Sequence, residues 1–348
     1  MLAFAFLGGA LADARDQRRV VLFTELAFTL MSALLPHPSL PAVYVIGAAQ
    51  AGLFALQRPS LEAMIPRLVP VQELTAAGAL NQVRGGVALV AGPALAGGVI
   101  ALAGLPAAYA VDAASFGLSL VALSLMRSMP PGAGAERPSL RRVQEGLAYA
   151  WSRPELLGTY LVDVIAMFFG FPAALFPVVA ALFGGPAVLG LLFSAPAVGG
   201  LLASATSGWT SRVSRHGWGV ILAAVAWGVA ITFFGLASAL PVALLCLALA
   251  GAADSVSGIF RAAIWNQTIP DRLRGRLASI ELLSYTTGPL LGDFEAGTVA
   301  SLFSVRISIV SGGVLCVAGC VLCALLLPAF RACAARTPRP QGMDSGRA

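Results

Sequence analysis

The chain has 348 residues, of which 58% are hydrophobic and 11% charged, and its net charge is +6. An average soluble domain carries about 25% charged residues, and a fold of this length still exposes about a quarter of its chain's surface; the composition therefore excludes a water-soluble enzyme, a disulfide scaffold and a disordered chain. It points to a polytopic helical membrane protein.

A spanning helix needs about 20 mostly apolar residues. The opening stretch, Met1 to Ala12, is roughly half that and lacks the basic start and cleavage site of a signal peptide. It reads as the end of a helix. Ten complete spans follow, at about 20–36, 41–57, 77–103, 107–126, 156–182, 187–207, 218–238, 241–260, 277–303 and 307–327. The longest polar stretch, Arg127 to Glu155, divides four spans from six. Within it Leu140, Val143, Leu147 and Trp151 recur at helical spacing opposite Arg141, Arg142 and Glu145. That is the pattern of an amphipathic helix on a membrane surface, or of a solvated linker helix. The expected domains are a helix bundle over 1–126, a linker over 127–155, a six-helix bundle over 156–327 and a tail over 328–348.

The basic residues are 22 Arg and no Lys. Twenty of them fall in segments on one side of a strictly alternating path, the exceptions being Arg84 and Arg306. The positive-inside rule makes that side cytoplasmic, with the linker and the C-terminus on it. The charge thus records topology and is no nucleic-acid footprint. The absence of Lys excludes a P-loop ATPase and Schiff-base chemistry. With only His37 and His216, no multi-His metal site can form. Cys316, Cys320 and Cys323 share one face of the last span. They read as small packing residues, with a soft-metal site as the alternative. No catalytic group, metal or cofactor is expected.

The two halves echo each other. The turn-rich connection Arg58 to Leu74 precedes a span carrying Gly92-Pro-Ala-Leu-Ala-Gly97, and Arg261 to Arg276 precedes one carrying Gly288-Pro289 through Gly292. A Gly-Pro pair inside a span bends the helix. At corresponding places in two halves it points to a duplicated secondary-transporter fold.

On these residues the chain resembles the major facilitator superfamily, and most closely its transmembrane secretion effector, or enterobactin-exporter-like, branch. Gly9-Ala-Leu-Ala-Asp13 with Arg15, Arg18 and Arg19 is similar to the superfamily's signature loop between its second and third helices, although Ala14 and Asp16 depart from it. The resemblance implies that this loop helps to latch a cytoplasmic gate. It implies that Gly92, Pro93 and Gly97 correspond to an antiporter motif that packs closely on a neighbouring helix. Pro66 to Asn81 and Gly288 to Gly297 also look like the exporter branch. The resemblance implies an all-α protein of twelve helices in two bundles, of which this sequence begins late in the second helix. It further implies a monomeric exporter of the cell membrane, moving siderophore-, antibiotic- or drug-like molecules by alternating access with proton antiport. The missing opening helices motivate an alternative, a non-transporting remnant or interaction subunit.

Ionisable groups inside a bilayer are functional candidates by default. Glu25, Asp112, Asp163, Asp254, Glu281, Asp293 and Glu295 fall in spans. Glu25 and Glu281 lie near cytoplasmic ends, where they can snorkel or pair with Arg. Asp163 and Asp254 are at mid-depth, where they could line the cavity, and are further proton-coupling candidates. Asp293 leads as the proton-coupling candidate, followed by Glu295, because both lie just past the Gly288-Pro289 kink. Arg84 is a candidate for a substrate anion or an intramembrane ion pair, since it cannot shed its charge. Phe168, Phe169, Phe171, Phe176, Trp227, Phe233 and Phe234 could offer a greasy surface to a substrate or pack against neighbours.

Overall fold

The computed structural model describes residues 16–34, 39–70, 73–127, 149, 151–269 and 288–334. Gly9, Asp13 and Arg15 of the signature loop, Glu281, and residues 140–148 of the expected amphipathic helix lie outside the described residues. The described chain is helical: α1 (Gln17–Leu34), α2 (Leu40–Leu68), α3 (Leu74–Ser124), α4 (Pro154–Phe169), α5 (Phe176–Phe183), α6 (Pro186–Ala205), α7 (His216–Leu236), α8 (Leu240–Thr268), α9 (288–302), α10 (Val305–Leu326) and α11 (Pro328–Arg331). Among the described residues six stretches are long and apolar enough to cross a membrane: Val83–Ser124, Pro154–Phe183, Pro186–Ala205, His216–Leu236, Leu240–Thr268 and Val305–Leu326.

The first of these runs for 42 residues. At ~1.5 Å per residue that is about 63 Å, twice the ~30 Å hydrocarbon core. The chain breaks it at Gly104, whose φ of 82° lies where side-chain-bearing residues are strained. Pro106 follows, its ring suited to the start of a new helix. The turn expected at Gly104 to Pro106 is therefore a real break inside α3.

The chain forms two compact units, Met1–Arg142 with Ala180–Ser194, and Val143–Val179 with Ala195–Ala348. In the first, α1 packs on α3 and α2 through antiparallel layers spaced four, three and four residues apart, as in a heptad seam. Val21 meets Met64 and Leu123 in one buried cluster. Glu25 comes next and accepts a hydrogen bond from Gln57 Nε2 at 2.9 Å. Phe28 then stacks on Phe116 with ring centroids 5.1 Å apart. Last, Ser32 Oγ donates to Asp112 Oδ2 at 2.6 Å. Polar layers alternate with apolar ones, so Glu25 is buried in the seam rather than snorkelling as expected, and among the described residues no Arg pairs with it. Asp16 opens α1, its Oδ1 accepting from the Arg18 N–H at 3.0 Å, which satisfies one orphan donor of the first turn.

In the second unit α7 is central, packing on α8, α10 and α4. Small residues let these backbones approach: a Cβ on Gly228 would lie 2.9 Å from Gly313 O, the close contact that membrane helices use in place of a hydrophobic driving force. Cys316, Cys320 and Cys323 are buried in α10, and Cys316 Sγ points to Ala224 O of α7.

Candidate functional site

The span Pro154–Phe183 is interrupted. α4 ends at Gly170, Phe171-Pro172 is non-helical, and a 3₁₀ turn at Ala173–Leu175 leads into α5. Pro172 cannot donate a backbone hydrogen bond, and Gly170 ends a helix readily. Irregular backbone inside a membrane needs its freed polar groups satisfied. Two side chains do this. Trp227 Nε1 of α7 donates to Gly170 O at 2.9 Å, and the Ala174 N–H donates to Asp293 Oδ1 of α9 at 2.8 Å.

One helical face before the break carries Asp163, two turns back. Arg261 of α8 donates through Nη1 to Asp163 Oδ1 and forms an ion pair with it. Its Nη2 reaches Asp254 Oδ1 at 3.5 Å, two turns back along α8. Arg261 Nε is buried without a hydrogen-bond partner. Asp163 is buried and Arg261 nearly so, at 7% and 13% of their side-chain surface, whereas Asp254 keeps 41% open. Two carboxylates share one guanidinium, so the fully ionised cluster carries one net negative charge. With one proton taken up it is neutral. A cavity of about 10 Å³ lined by Asp163, Asp254, Ser257, Ala166, Ala224 and Trp227 adjoins it. That is room for about one water molecule, so this cavity offers a place for a proton carrier.

The other candidates are placed differently. Asp293 caps the restart of the interrupted span, which gives it a positioning task. Glu295 is half-buried on the same helix. Gly288, at the first described position of α9, lies beside Met167 of α4; the residues before it, where a bend at Gly288-Pro289 would show, lie outside the described set. Arg84 is exposed on α3, and its Nη2 donates to Asn81 Oδ1 at 2.9 Å. Among the described residues no carboxylate pairs with it. Arg18 donates to Leu123 O at 3.0 Å and Ser124 O at 2.5 Å. It thereby caps the end of α3, where a cation meets the negative end of the helix dipole. Arg19 is exposed.

The Gly92 to Gly97 stretch has one tight position. A Cβ on Gly97 would lie 2.6 Å from Pro186 O and 3.0 Å from Gly190, and one on Gly190 would collide with Pro93 O, while Gly92 has nothing within 4 Å. Ser194 Oγ donates to Val90 O at 2.6 Å, next to the carbonyl that Pro93 deprives of its helical donor. Of the aromatic set, Phe176, Trp227 and Phe234 are buried. Phe171 stacks on Trp227 at 6.1 Å, Phe176 meets Phe234 at 5.8 Å and Phe168 meets Phe169 at 4.8 Å. They pack on one another, and Phe233 stays exposed.

Two residues escaped the sequence reading. Arg261 counted only as a topological charge, although its place seven residues after Asp254 puts the two on one helix face. Trp227 was grouped with the greasy residues, and nothing local marks its N–H as a backbone partner. The interruption itself was legible in Gly170-Phe-Pro172.

The sequence profile of the family described as transmembrane secretion effector matches residues 1–343. An enterobactin exporter (EntS) of Citrobacter koseri is 27% identical over 350 residues, covering 98% of this chain and 84% of the relative. The enterobactin exporter of Escherichia coli O81 is 26% identical over 353 residues, covering 99% and 85%. Among solved structures, a POT family transporter in complex with 5-aminolevulinic acid superposes with a TM-score of 0.73 at 12% identity, over 94% of this chain and 86% of that one. The peptide transporter POT in complex with sulfate gives 0.69 at 13%, over 96% and 85%. At these identities the structural likeness speaks for the fold alone.

Proposed function

Because the chain belongs to the transmembrane secretion effector family of the major facilitator superfamily, a family of multi-pass membrane transporters and not of enzymes, we propose that it is a secondary active exporter of small amphipathic molecules. The relatives named as enterobactin exporters support a siderophore-like substrate. In this reading the bundles 1–126 and 156–327, joined by the linker 127–155, alternate between inward- and outward-open states in the cell membrane, with linker and tail cytoplasmic. A proton enters as substrate leaves.

The observation that carries the coupling is the cluster of Asp163, Arg261 and Asp254 astride an interrupted span. In this reading the ion pair that joins the two helices switches between two arrangements. It holds α4 to α8 while both carboxylates compete for the guanidinium, and its balance changes when the open carboxylate, Asp254, takes a proton. Asp293 and Glu295 hold a secondary place, Asp293 by fixing the restart after the break. Arg84, exposed and without a carboxylate partner among the described residues, remains the candidate for an anionic group of the substrate.

Everted vesicles containing the chain and acidified inside are expected to accumulate a labelled catecholate siderophore. Asp254→Asn should lose this gradient-driven uptake and keep energy-independent counterflow. Uptake in Asp254→Asn that still follows the pH gradient would overturn the assignment of Asp254, and an absence of any flux from the unaltered chain would overturn the exporter reading.

A further inference from the structure

At the end of the second unit where α7 begins and α10 ends, the chain turns back and is pinned. Phe330 of α11 is fully buried. Its ring lies where a Cβ on Gly158 of α4 would sit, and its carbonyl where a Cβ on Gly217 of α7 would sit. The Gly217 N–H also donates to Cys333 O at 3.1 Å. This fastening presents the next residue, Arg331, with its guanidinium 5.9 Å over the Trp218 ring. Arg215, the residue before α7, lines with Trp218, Arg331 and Ala332 an open concavity of about 410 Å³. Among the described residues neither arginine has a carboxylate partner. Beyond the concavity the helices continue as apolar exposed faces, with Leu222 on α7 and Leu322, Leu325 and Leu326 on α10.

We propose that this concavity binds the phosphate of an anionic phospholipid headgroup, with the acyl chains lying along the exposed leucines. Two uncompensated guanidiniums match a phosphate in charge and in their planar donor geometry. Trp218 stands at the depth where tryptophan anchors a helix to the membrane interface. A basic pocket at the ends of spanning helices is the arrangement that holds anionic headgroups. A free phosphate ion would share the two arginines but would have no use for the apolar faces next to them, which is why the lipid is the occupant. The pinning by Phe330 means that the site is formed before lipid arrives. The proposal rests on the spans crossing a bilayer and is independent of what the protein transports.

The test is native mass spectrometry of the full chain in detergent, titrated with phosphatidylglycerol or with phosphatidylcholine. Phosphatidylglycerol should be retained in preference. Arg215→Gln and Arg331→Gln should each weaken its binding about fivefold, the loss expected for one arginine near a membrane surface. Arg331→Lys, which keeps the charge and loses the planar donor fork, should fall between Arg331→Gln and the unaltered chain. Arg306→Gln, at the other end of the unit where Arg306 caps α7 through Gly235 O and Leu236 O, should leave it unchanged. Arg215 is exposed, so its variant reads charge and not folding. Equal retention of the two lipids, or no loss in Arg215→Gln and Arg331→Gln, would overturn the proposal. Complete displacement of phosphatidylglycerol by millimolar glycerol phosphate would reassign the site to free phosphate.

Discussion

Arg261 stands between two carboxylates in the second unit, and removing it takes the guanidinium away from the buried Asp163. Breaking a buried pair from one side costs about 3–5 kcal/mol. Arg261→Ala should therefore lower the thermal unfolding temperature in detergent markedly, and the double variant Asp163→Asn with Arg261→Gln should recover much of the loss. No recovery would mean that Arg261 stabilises by packing and not by pairing. Trp227 offers a second test. Phenylalanine at this position keeps the ring against Phe171 but withdraws the donor from Gly170 O, and an unsatisfied buried carbonyl costs about 1–3 kcal/mol. Trp227→Phe should speed amide exchange around residues 170–175 more than elsewhere in the unit.

At the scale of elements, close approach and helix bending are separate uses of the small residues near Pro93. Gly190 faces the Pro93 carbonyl with no room for a Cβ, while Gly92 faces open space. Gly190→Val should disrupt the packing of α6 on α3 and lower the yield of folded protein. Gly92→Ala should be tolerated and gain about 0.5–1 kcal/mol from the better helix former; thermal melts of the two variants check both. If both are tolerated, the contact does not hold the first unit together. The α1 seam makes a similar point. Its apolar layers, Val21 with Met64 and Leu123 and then Phe28 with Phe116, alternate with Glu25–Gln57 and Ser32–Asp112. Each acid is placed by a partner on another helix rather than by its distance from the membrane surface.

For the whole molecule, the distribution of Arg predicts orientation. It places Ala239, between α7 and α8, on the expected outer side, and Cys333, after α11, on the expected inner side. Cys246, Cys316, Cys320 and Cys323 are buried, so they interfere little. A membrane-impermeant maleimide should label Ala239→Cys in intact cells and Cys333 only after permeabilisation. The reverse pattern would invert the topology and, with it, the direction of transport.

The sequence by itself determined the class, most of the spans and the family. Those follow from one-dimensional quantities: runs of about 20 apolar residues, arginines on alternate connections, and motifs of consecutive residues such as Gly9 to Arg19 and Gly92 to Gly97. Breaks are legible too where they depend on local chemistry, as at Gly104-Leu-Pro106 and Gly170-Phe-Pro172. Only the tertiary structure decided which charges meet. Asp163 and Arg261 are 98 residues apart, and Glu25 and Gln57 are 32 apart. Depth along a span says how costly a charge is, whereas its partner depends on helix rotation and on which helices are neighbours. Trp227 over Gly170 and Asp293 on Ala174 were hidden for the same reason, since a donor and an acceptor from separate helices leave no periodic trace in either.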